Sequence, residues 1–269
     1  MLTTTSFLEV LRHATPESLE VTSKVSSDGV NYDAVEGEFW TAGQRQAANL
    51  HEVSYRACFK PQLPGFFIER FTEPGDLVYD PFSGRGTTAI EAALTGHRVA
   101  TNDVNPLTTF FTKPRLEFPS IEEIEARLMS IPRNTSEQSD LELSMFYEEQ
   151  TLQEILALRS YLRDREAEGT SDAVDRWIRM AATNRLTGHS PGFFSVYSMP
   201  PNQAVSQQSQ IRINEKRNQV PTYRDTHALI LKKSKQLQKG MTADEIRNLH
   251  ESAKTAVFIN SDASVTPEI

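Results

Sequence analysis

The sequence predicts an α/β protein in which a parallel sheet carries a large, mainly helical insertion. The first observation is residues 75–106, which have the composition of a strand, a glycine turn, a helix and a second strand, the order of a βαβ unit. The second is residues 119–254, where apolar side chains recur at helical spacing. The third is the apolar run at 255–260, which predicts a strand that returns to the same sheet.

The βαβ unit begins with a short apolar run at 77–79 that ends on Asp80. Gly84 and Gly86 lie in the turn that follows, and residues 87–94 then continue as a helix. Glycines allow positive φ and a close approach of the backbone to a ligand. Free N–H groups at the start of a helix favour an anionic group. This turn is therefore a candidate ligand loop.

The second strand, at 98–101, leads to Asp103, which stands 23 positions after Asp80 (103 minus 80). An acid at this point of a βαβ unit can accept both hydroxyls of a ribose. Parallel sheets bind their ligands at the carboxyl ends of the strands. The spacing of Gly84 and Gly86 is G-x-G with no third glycine three residues later. We therefore expect a nucleoside with a small charged tail rather than a dinucleotide.

Residues 80–88, Asp-Pro-Phe-Ser-Gly-Arg-Gly-Thr-Thr, resemble the S-adenosylmethionine motif DPFxGxGTT of DNA methyltransferases that modify exocyclic amino groups. Residues 102–106, Asn-Asp-Val-Asn-Pro, resemble the ribose-binding motif of that family. Lys60-Pro61 resembles the segment that covers the methionine end of the cofactor, although the family's usual Thr-Gln before it is absent. The resemblance implies a Rossmann-like S-adenosylmethionine-dependent methyltransferase sheet, incomplete in this chain.

The resemblance also implies S-adenosyl-L-methionine as the cofactor and gives roles to individual residues. Asp80 and the two loop glycines would hold its amino-acid end, and Phe82 would pack near the adenosine. Asp103 would accept the ribose hydroxyls, and Asp262, just after the late strand, would approach the adenine amino group. The full set of predicted cofactor-binding residues is Lys60, Pro61, Asp80, Phe82, Ser83, Gly84, Gly86, Thr87, Asp103 and Asp262.

The charge distribution indicates where nucleic acid would bind. The net charge is −8, unexpected for a nucleic-acid binder because phosphate contacts need Lys and Arg. Residues 211–240, however, hold eight basic and two acidic residues, a local charge of +6 that leaves −14 for the rest. The predicted contacts to double-stranded DNA are Arg212, Lys216, Arg217, Arg224, Lys232 and Lys233.

The stretch 187–222 is rich in loop residues and amides, with Phe193, Phe194 and Tyr197 among them. Amide side chains read base edges in the major groove, and aromatic rings can stack on an extruded base. We therefore predict that this stretch contacts DNA, with a polar surface loop as the alternative. Trp177, by contrast, is expected in the core.

Four parts are expected along the chain, and the catalytic motif is missing from all of them. The parts are an N-terminal arm (1–38), the cofactor-binding part (39–118), the helical insertion, which is expected to recognise the DNA target (119–254), and the returning strand (255–269). Residues 22–36 are expected to be a loop, and residues 140–166 are expected to be helical.

Transfer to an exocyclic amine needs, in the resembling family, a (Asp/Asn/Ser)-Pro-Pro-(Tyr/Phe/Trp) motif. The one Pro-Pro pair, Pro200-Pro201, is preceded by Met199 and followed by Asn202, so both flanking positions are wrong. The sequence ends seven residues after Asp262. We expect the catalytic motif on a second polypeptide or on a missing C-terminal part, so the catalytic residues stay unknown and this chain alone is expected to be inactive.

The leading interpretation is the cofactor-binding and DNA-recognition portion of a site-specific DNA methyltransferase, acting on N6 of adenine or N4 of cytosine. The resemblance implies a restriction-modification context. Two alternatives stay open. One is an RNA base methyltransferase, because DPFxGxGT also occurs there, and the other is a non-catalytic specificity or regulatory subunit of a split methyltransferase.

Composition narrows the cellular setting. The single cysteine, Cys58, excludes a disulfide framework and fits a reducing compartment. There is no apolar run of about 18 residues, and the first 20 residues lack the pattern of a signal peptide. Because of the missing apolar run, no membrane contact is expected. The six histidines are scattered and the one cysteine has no partner, so no metal site is expected. These features predict a cytoplasmic protein.

Overall fold

The computed structural model describes residues 20–36, 47–56, 58–200 and 203–265. Those residues contain five strands, nine α-helices and a 3-10 turn at Asn49–His51. The strands are β1 (Glu20–Val25), β2 (Asn31–Glu36), β3 (Leu77–Asp80), β4 (Arg98–Asn102) and β5 (Val257–Ile259). The helices are α1 (Gln62–Phe71), α2 (Thr87–Leu94), α3 (Leu107–Glu117), α4 (Ile121–Ser130), α5 (Glu149–Ala167), α6 (Ala173–Thr183), α7 (Gln207–Arg217), α8 (Thr226–Gln238) and α9 (Ala243–Thr255).

The main sheet has three parallel strands in the order β3-β4-β5, with β4 in the centre. Tyr79 of β3 and Val257 of β5 both lie opposite Ala100 of β4. The predicted strand that returns to the sheet is therefore confirmed, and so is the mixed α/β class. Because all three strands run in the same direction, their carboxyl ends lie together at one edge of the sheet.

The sheet is covered by helices with small side chains. Ala89, Ala92 and Ala93 of α2 are buried, and α2 packs against α1, α9, β3 and β4. Alanine faces allow close approach of neighbouring elements, so the core forms around α2 and β4. As a result, the loop between β3 and α2 is held between two well-packed elements.

The helical part packs around Trp177 of α6, which is fully buried as expected. Its indole Nε1 donates to Ser234 Oγ of α8 at 2.9 Å, and its ring meets Phe118 edge-to-face at 5.8 Å. A buried indole with a satisfied N–H fixes the position of α8 relative to α6. The basic helix α8 is therefore a packed element of the core, with one face left to solvent.

Two predictions of local structure are wrong. Residues 22–36 do not form a loop, because β1 and β2 pair as an antiparallel hairpin in which Val25 lies opposite Asn31. The helix expected from residue 140 begins only at Glu149. Before it, Ser144 N–H donates to Glu142 Oε1 at 2.8 Å, and Glu148 caps the helix by accepting from Thr151 N–H at 3.1 Å. Such side-chain contacts compete with helical hydrogen bonds.

Among the described residues, no helix has both the length and the apolar character that a membrane span requires.

Candidate cofactor site

The loop between β3 and α2 is folded by hydrogen bonds of its own residues. Asp80 Oδ1 accepts from Phe82 N–H at 2.9 Å, and Ser83 Oγ donates to the carbonyl of Asp80 at 2.7 Å. Gly86 N–H then donates to the carbonyl of Ser83 at 2.6 Å. These short-range contacts hold the loop in one conformation at the end of the strand. A preorganised loop of this kind is what a ligand cradle requires.

Both loop glycines have positive φ, +52° at Gly84 and +77° at Gly86, but they serve different purposes. A Cβ added to Gly86 would stand 2.1 Å from Thr112 Oγ1 on α3. A Cβ added to Gly84 would stand 3.5 Å from Cε1 of Tyr55. Gly86 is thus required for packing against α3, which the sequence motif does not reveal. Gly84 fits the role that the sequence predicted for both glycines, the close approach of a ligand to the backbone, since Gly84 is only partly buried.

The loop is joined to the second strand end at Asp103. Gly84 N–H donates to Asp103 Oδ2 at 2.8 Å, and Ser83 N–H donates to the carbonyl of Asn102 at 3.0 Å. Asp103 Oδ1 accepts from Asn105 N–H at 2.9 Å. Each carboxylate oxygen has two lone pairs, so one acceptor position remains at each for a ribose hydroxyl. The structure therefore brings together the two acidic strand ends that the sequence analysis paired.

Two apolar side chains are exposed next to these acids. Phe82 is 74% exposed and Val104 is 69% exposed, and they follow the neighbouring strands β3 and β4. A protein of this size buries most of its phenylalanine surface, so an exposed pair beside polar loop groups is informative. A planar apolar group such as a purine could cover both side chains.

Ser83 and Thr87 shape the loop from within. Both side chains are buried, and Thr87 Oγ1 accepts from Arg85 Nε at 3.2 Å. Arg85 also donates through Nη1 to the carbonyl of Val53 at 3.0 Å. Their side chains are thus occupied inside the protein, so a ligand would meet this part of the loop through backbone groups.

Lys60 and Pro61 stand at the start of α1. Pro61 is buried and Lys60 is exposed, while the Lys60 carbonyl accepts from Leu63 N–H at 3.0 Å. The α1 helix begins at Gln62, directly after Pro61. The α1 helix packs on α2, so Lys60-Pro61 lies on the elements that carry the loop.

Asp262 follows β5, as predicted. Its Oδ1 accepts from Ser264 N–H at 2.9 Å and Ser264 Oγ at 2.8 Å, and these bonds hold the pKa of the Asp262 carboxyl below its usual value. Asn260 Nδ2 donates to the carbonyl of Asp103 at 2.6 Å. The segment that bears Asp262 is therefore tied to the segment that bears Asp103.

Tyr55 is a site residue that the sequence reasoning missed. Its ring lies against Gly84 and meets Phe111 edge-to-face at 5.9 Å, and its hydroxyl accepts from Asn105 Nδ2 at 2.9 Å. Burial, with a smaller effect of the Asp103 charge, raises the pKa of Tyr55. The only sequence signal is an aromatic residue shortly before Lys60-Pro61.

Tyr55 also lines a cavity of about 720 Å³ between the start of α3 and the helical part. Its further lining residues include Asn105, Phe111, Tyr147 and Asn184. Clefts of this volume are typical of small-molecule and nucleotide sites. Through Tyr55, which lies against Gly84, the cavity is a neighbour of the loop.

The predicted DNA-contacting residues are distributed over two helices. Arg212 and Lys216 of α7 and Lys232 of α8 are exposed, and the Arg217 guanidinium lies 3.7 Å from the centre of the Tyr197 ring. Arg224 is partly buried in the segment between the two helices. Lys233 differs from its neighbours, since its side chain is only 4% exposed.

The prediction that the amide-rich stretch reads bases is wrong for several of its members. Gln210 is fully buried, and its Nε2 donates to the carbonyl of Tyr197 at 2.9 Å. Asn214 Nδ2 donates to the carbonyl of Met145 at 2.8 Å. Phe193 and Phe194 are also buried, so they are not available to stack on a base. These side chains attach α7 to the rest of the helical part.

In the Met199-Pro200-Pro201-Asn202 stretch, Pro201 and Asn202 lie outside the described residues, as do residues 1–19 of the N-terminal arm.

Comparisons with known proteins match the part of the chain that holds this site. Residues 13–117 match the family model for DNA methylases, and residues 67–184 match the model for RMKL-like methyltransferase domains. The type II methyltransferase M.MjaII of Methanocaldococcus jannaschii is 29% identical over 95 residues, which cover 35% of this chain and 18% of that protein. No solved structure matches. The 13–117 match contains both the loop and Asp103, so these findings support the resemblance to DNA amino-methyltransferases.

Proposed function

We propose that this chain binds S-adenosyl-L-methionine and forms the cofactor-binding and DNA-recognition part of a DNA methyltransferase acting on N6 of adenine or N4 of cytosine. The observation that carries the proposal is the 2.8 Å hydrogen bond from Gly84 N–H to Asp103 Oδ2. It supports a single cleft in which the motif loop and the ribose-binding acid act together. The relative's name, a type II methyltransferase, fits a restriction-modification context.

The bound cofactor supplies an electrophilic methyl group on a sulfonium centre. The residues of this chain hold and orient it. The carboxylate of Asp80 stands at the loop entrance, where it attracts the positively charged amino-acid end. Asp103 accepts the ribose hydroxyls through its remaining lone pairs, and Phe82 and Val104 cover the adenine ring. Lys60-Pro61 closes the methionine end, and Asp262 approaches the adenine amino group.

DNA is the substrate that the charges favour. Exposed cations on α7 and α8 belong to the one segment with excess positive charge in an otherwise acidic chain, and such cations attract phosphates. RNA stays the alternative substrate, so binding should be compared on DNA and RNA duplexes of the same sequence. Tighter binding of the RNA duplex would favour an RNA base methyltransferase.

We propose that a further strand, which carries the catalytic motif, pairs with the edge of β3. Within the described residues β3 pairs with β4 alone, and Leu77 at its start is exposed. An unpaired edge offers a row of N–H and C=O groups to another strand. A strand added here would end beside Asp80, where its Pro-Pro-aromatic motif would face the cofactor's methyl group. Whether that strand belongs to the same polypeptide or to a second one is tested by adding candidate segments to a methyl-transfer assay.

Calorimetric titration with S-adenosyl-L-methionine tests the proposal. Asp80→Asn removes the carboxylate charge at the loop, and we expect an affinity loss of at least about tenfold, since a charged hydrogen bond contributes about 1.5–3 kcal/mol. Asp76→Asn is the matched control, because Asp76 precedes β3 at the opposite end of the strand and is exposed. Equal affinities of the two variants and the wild type would contradict cofactor binding in this loop.

A further inference from the structure

A polar recess of about 590 Å³ lies beside the loop, on the side of Tyr55 and Arg85. Arg185, His189 and Lys233 also line it. Among the described lining residues, Glu52 is the one carboxylate, so basic groups are in excess. The recess differs from the 720 Å³ cavity, whose walls are largely aromatic and aliphatic.

Lys233 is the unusual member of this group. Its side chain is 4% exposed, and its Nζ is 3.9 Å from Glu52 Oε2 and 3.5 Å from Gln236 Oε1. Both distances are long for an ammonium group, whose charged hydrogen bonds are about 2.7–2.9 Å. Burial, together with the positive charge of Arg185, lowers the pKa of Lys233 to about 8. The ammonium group is thus buried with weak compensation of its charge.

Arg185 faces the same recess and is held in place from two sides. Its Nε donates to the carbonyl of Asn184 at 2.9 Å, and its guanidinium lies 4.1 Å from the centre of the Phe193 ring. Burial lowers the pKa of Arg185 as well. A guanidinium fixed in this way keeps its terminal N–H groups ordered for an anionic ligand.

We propose that this recess binds a phosphate of the nucleic-acid strand, with Lys233 and Arg185 as the contacting groups. A phosphodiester supplies the negative charge and the acceptor oxygens that the two cations lack. Tyr55 lines the recess and also packs against Gly84, so the phosphate would be held next to the cofactor loop. The inference rests on the proposed function, since it specifies how the strand is held near the methyl donor.

The test compares the buried Lys233 of α8 with the exposed Lys254 of α9, which is not among the predicted DNA contacts. Lys233→Met removes the buried charge, and Lys254→Met removes an exposed one. Duplex binding is measured by fluorescence anisotropy over a series of salt concentrations, with the full chain. We expect Lys233→Met to weaken binding at least about tenfold and to reduce the slope of log K against log salt by about 0.9. Lys254→Met should change the affinity by about twofold or less, as for an exposed charge.

Thermal unfolding separates a binding role from a structural one. Removal of a poorly compensated buried charge should leave the melting temperature of Lys233→Met unchanged or higher. A lower melting temperature of this variant, with no loss of DNA affinity, would show a structural lysine and overturn the proposal. Equal weakening of duplex binding by both lysine variants, or no duplex binding by the wild type, would overturn it too.

Inorganic phosphate and the cofactor serve as the other two probes. We expect inorganic phosphate to bind weakly and to compete with the duplex. Tight phosphate binding that the duplex cannot displace would indicate a site for a free phosphate and overturn the strand contact. The cofactor affinity of Lys233→Met should equal that of the wild type. If the wild type binds both the cofactor and the duplex but the two lysine variants have the same duplex affinity, the phosphate site in the recess is wrong and the proposed function stands. If the wild type binds no cofactor, the proposed function itself fails.

Discussion

The cofactor loop and the basic segment differ in how directly the sequence specifies them. In residues 80–88, the positions of glycines and acids determine the backbone, and the hydrogen bonds within the loop are local. In residues 211–240, the sequence specifies eight cations but not where they point. Lys232 and Lys233 are neighbours, yet one is exposed and the other is buried. The conformation of a short backbone motif can therefore be predicted from neighbouring residues, whereas the exposure of charged side chains depends on tertiary packing.

The largest expected effect concerns Glu154, which attaches the start of α8, in the basic segment 211–240, to α5. Glu154 of α5 is fully buried, and its Oε2 accepts from Thr226 N–H at 2.9 Å and Thr226 Oγ1 at 2.8 Å. Its Oε1 accepts from Tyr223 and from Arg133. Glu154→Ala should lower the free energy of unfolding by about 3–5 kcal/mol, because it leaves these donors unpaired. Urea unfolding measures this loss, and Glu149→Ala on the exposed start of α5 is the control.

The same carboxylate predicts a dependence of stability on pH. Burial alone would raise the pKa of Glu154, but the hydrogen bonds from Thr226, Tyr223 and Arg133 outweigh it and lower the pKa below the ordinary value. A depressed folded-state pKa gives stability that is present above the ordinary value of about 4.5 and is lost as the pH falls through the folded-state value. Urea unfolding from pH 7 to pH 3 should therefore show a smaller loss of stability in Glu154→Gln than in the wild type. Equal losses of stability in the wild type and in Glu154→Gln would show that the ionised Glu154 carboxylate is not the source of this pH dependence.

The next effect separates the two loop glycines. Gly86→Ala places a Cβ 2.1 Å from Thr112 Oγ1 at a positive φ, so we expect a loss of about 2–3 kcal/mol in the free energy of unfolding. Gly84→Ala meets only Tyr55 at 3.5 Å and should lose about 1 kcal/mol, which is the strain of positive φ. Calorimetric titration should show that Gly84→Ala weakens cofactor binding, while urea unfolding should show only this small loss of stability.

The double variant Gly86→Ala with Thr112→Gly should regain part of the lost stability, because it removes the colliding side chain. If Gly86→Ala is as stable as Gly84→Ala, the packing role of Gly86 is wrong. This outcome would leave both glycines as ligand-approach positions, as the sequence alone suggested.

The smallest effect concerns the exposed aromatic ring of the cleft. Phe82→Ala should leave stability unchanged, since the side chain is 74% exposed. Loss of its contact with adenine should weaken cofactor binding by roughly fivefold, or about 1 kcal/mol. Met129→Ala is a control at another exposed apolar side chain, 79% exposed on α4. Unchanged cofactor affinity in Phe82→Ala would place the adenine elsewhere.

The strand, loop and helix of the site could be predicted because their signals are local in sequence. Gly84 stands at a positive φ, and Asp80 and Asp103 each accept a hydrogen bond from the backbone N–H two residues further on. The role of Gly86 could not be predicted, because Thr112, which fills the space beside it, comes from another helix. Tyr55 was missed for the same reason, since its contact with Gly84 is a tertiary one.

The helical part shows the same limit. The capping boxes at Ser120 with Glu123 and at Thr242 with Glu245 are signals that can be read from the sequence, since each needs only four consecutive residues. The burial of Gln210 and Lys233 depends on the packing of α7 and α8 on distant segments, so polarity alone suggested the wrong exposure. The hairpin of β1 and β2 was missed because its strands are polar and mostly exposed.

Hydrogen–deuterium exchange, measured with each ligand separately, shows which residues bind the cofactor and which bind DNA. S-adenosyl-L-methionine should slow exchange in residues 80–88 and 102–106 and leave residues 207–239 unchanged. Duplex DNA should slow exchange in residues 226–239. Cofactor binding without protection of residues 80–88, or with its main protection in residues 207–239, would show that the loop is not the cofactor site.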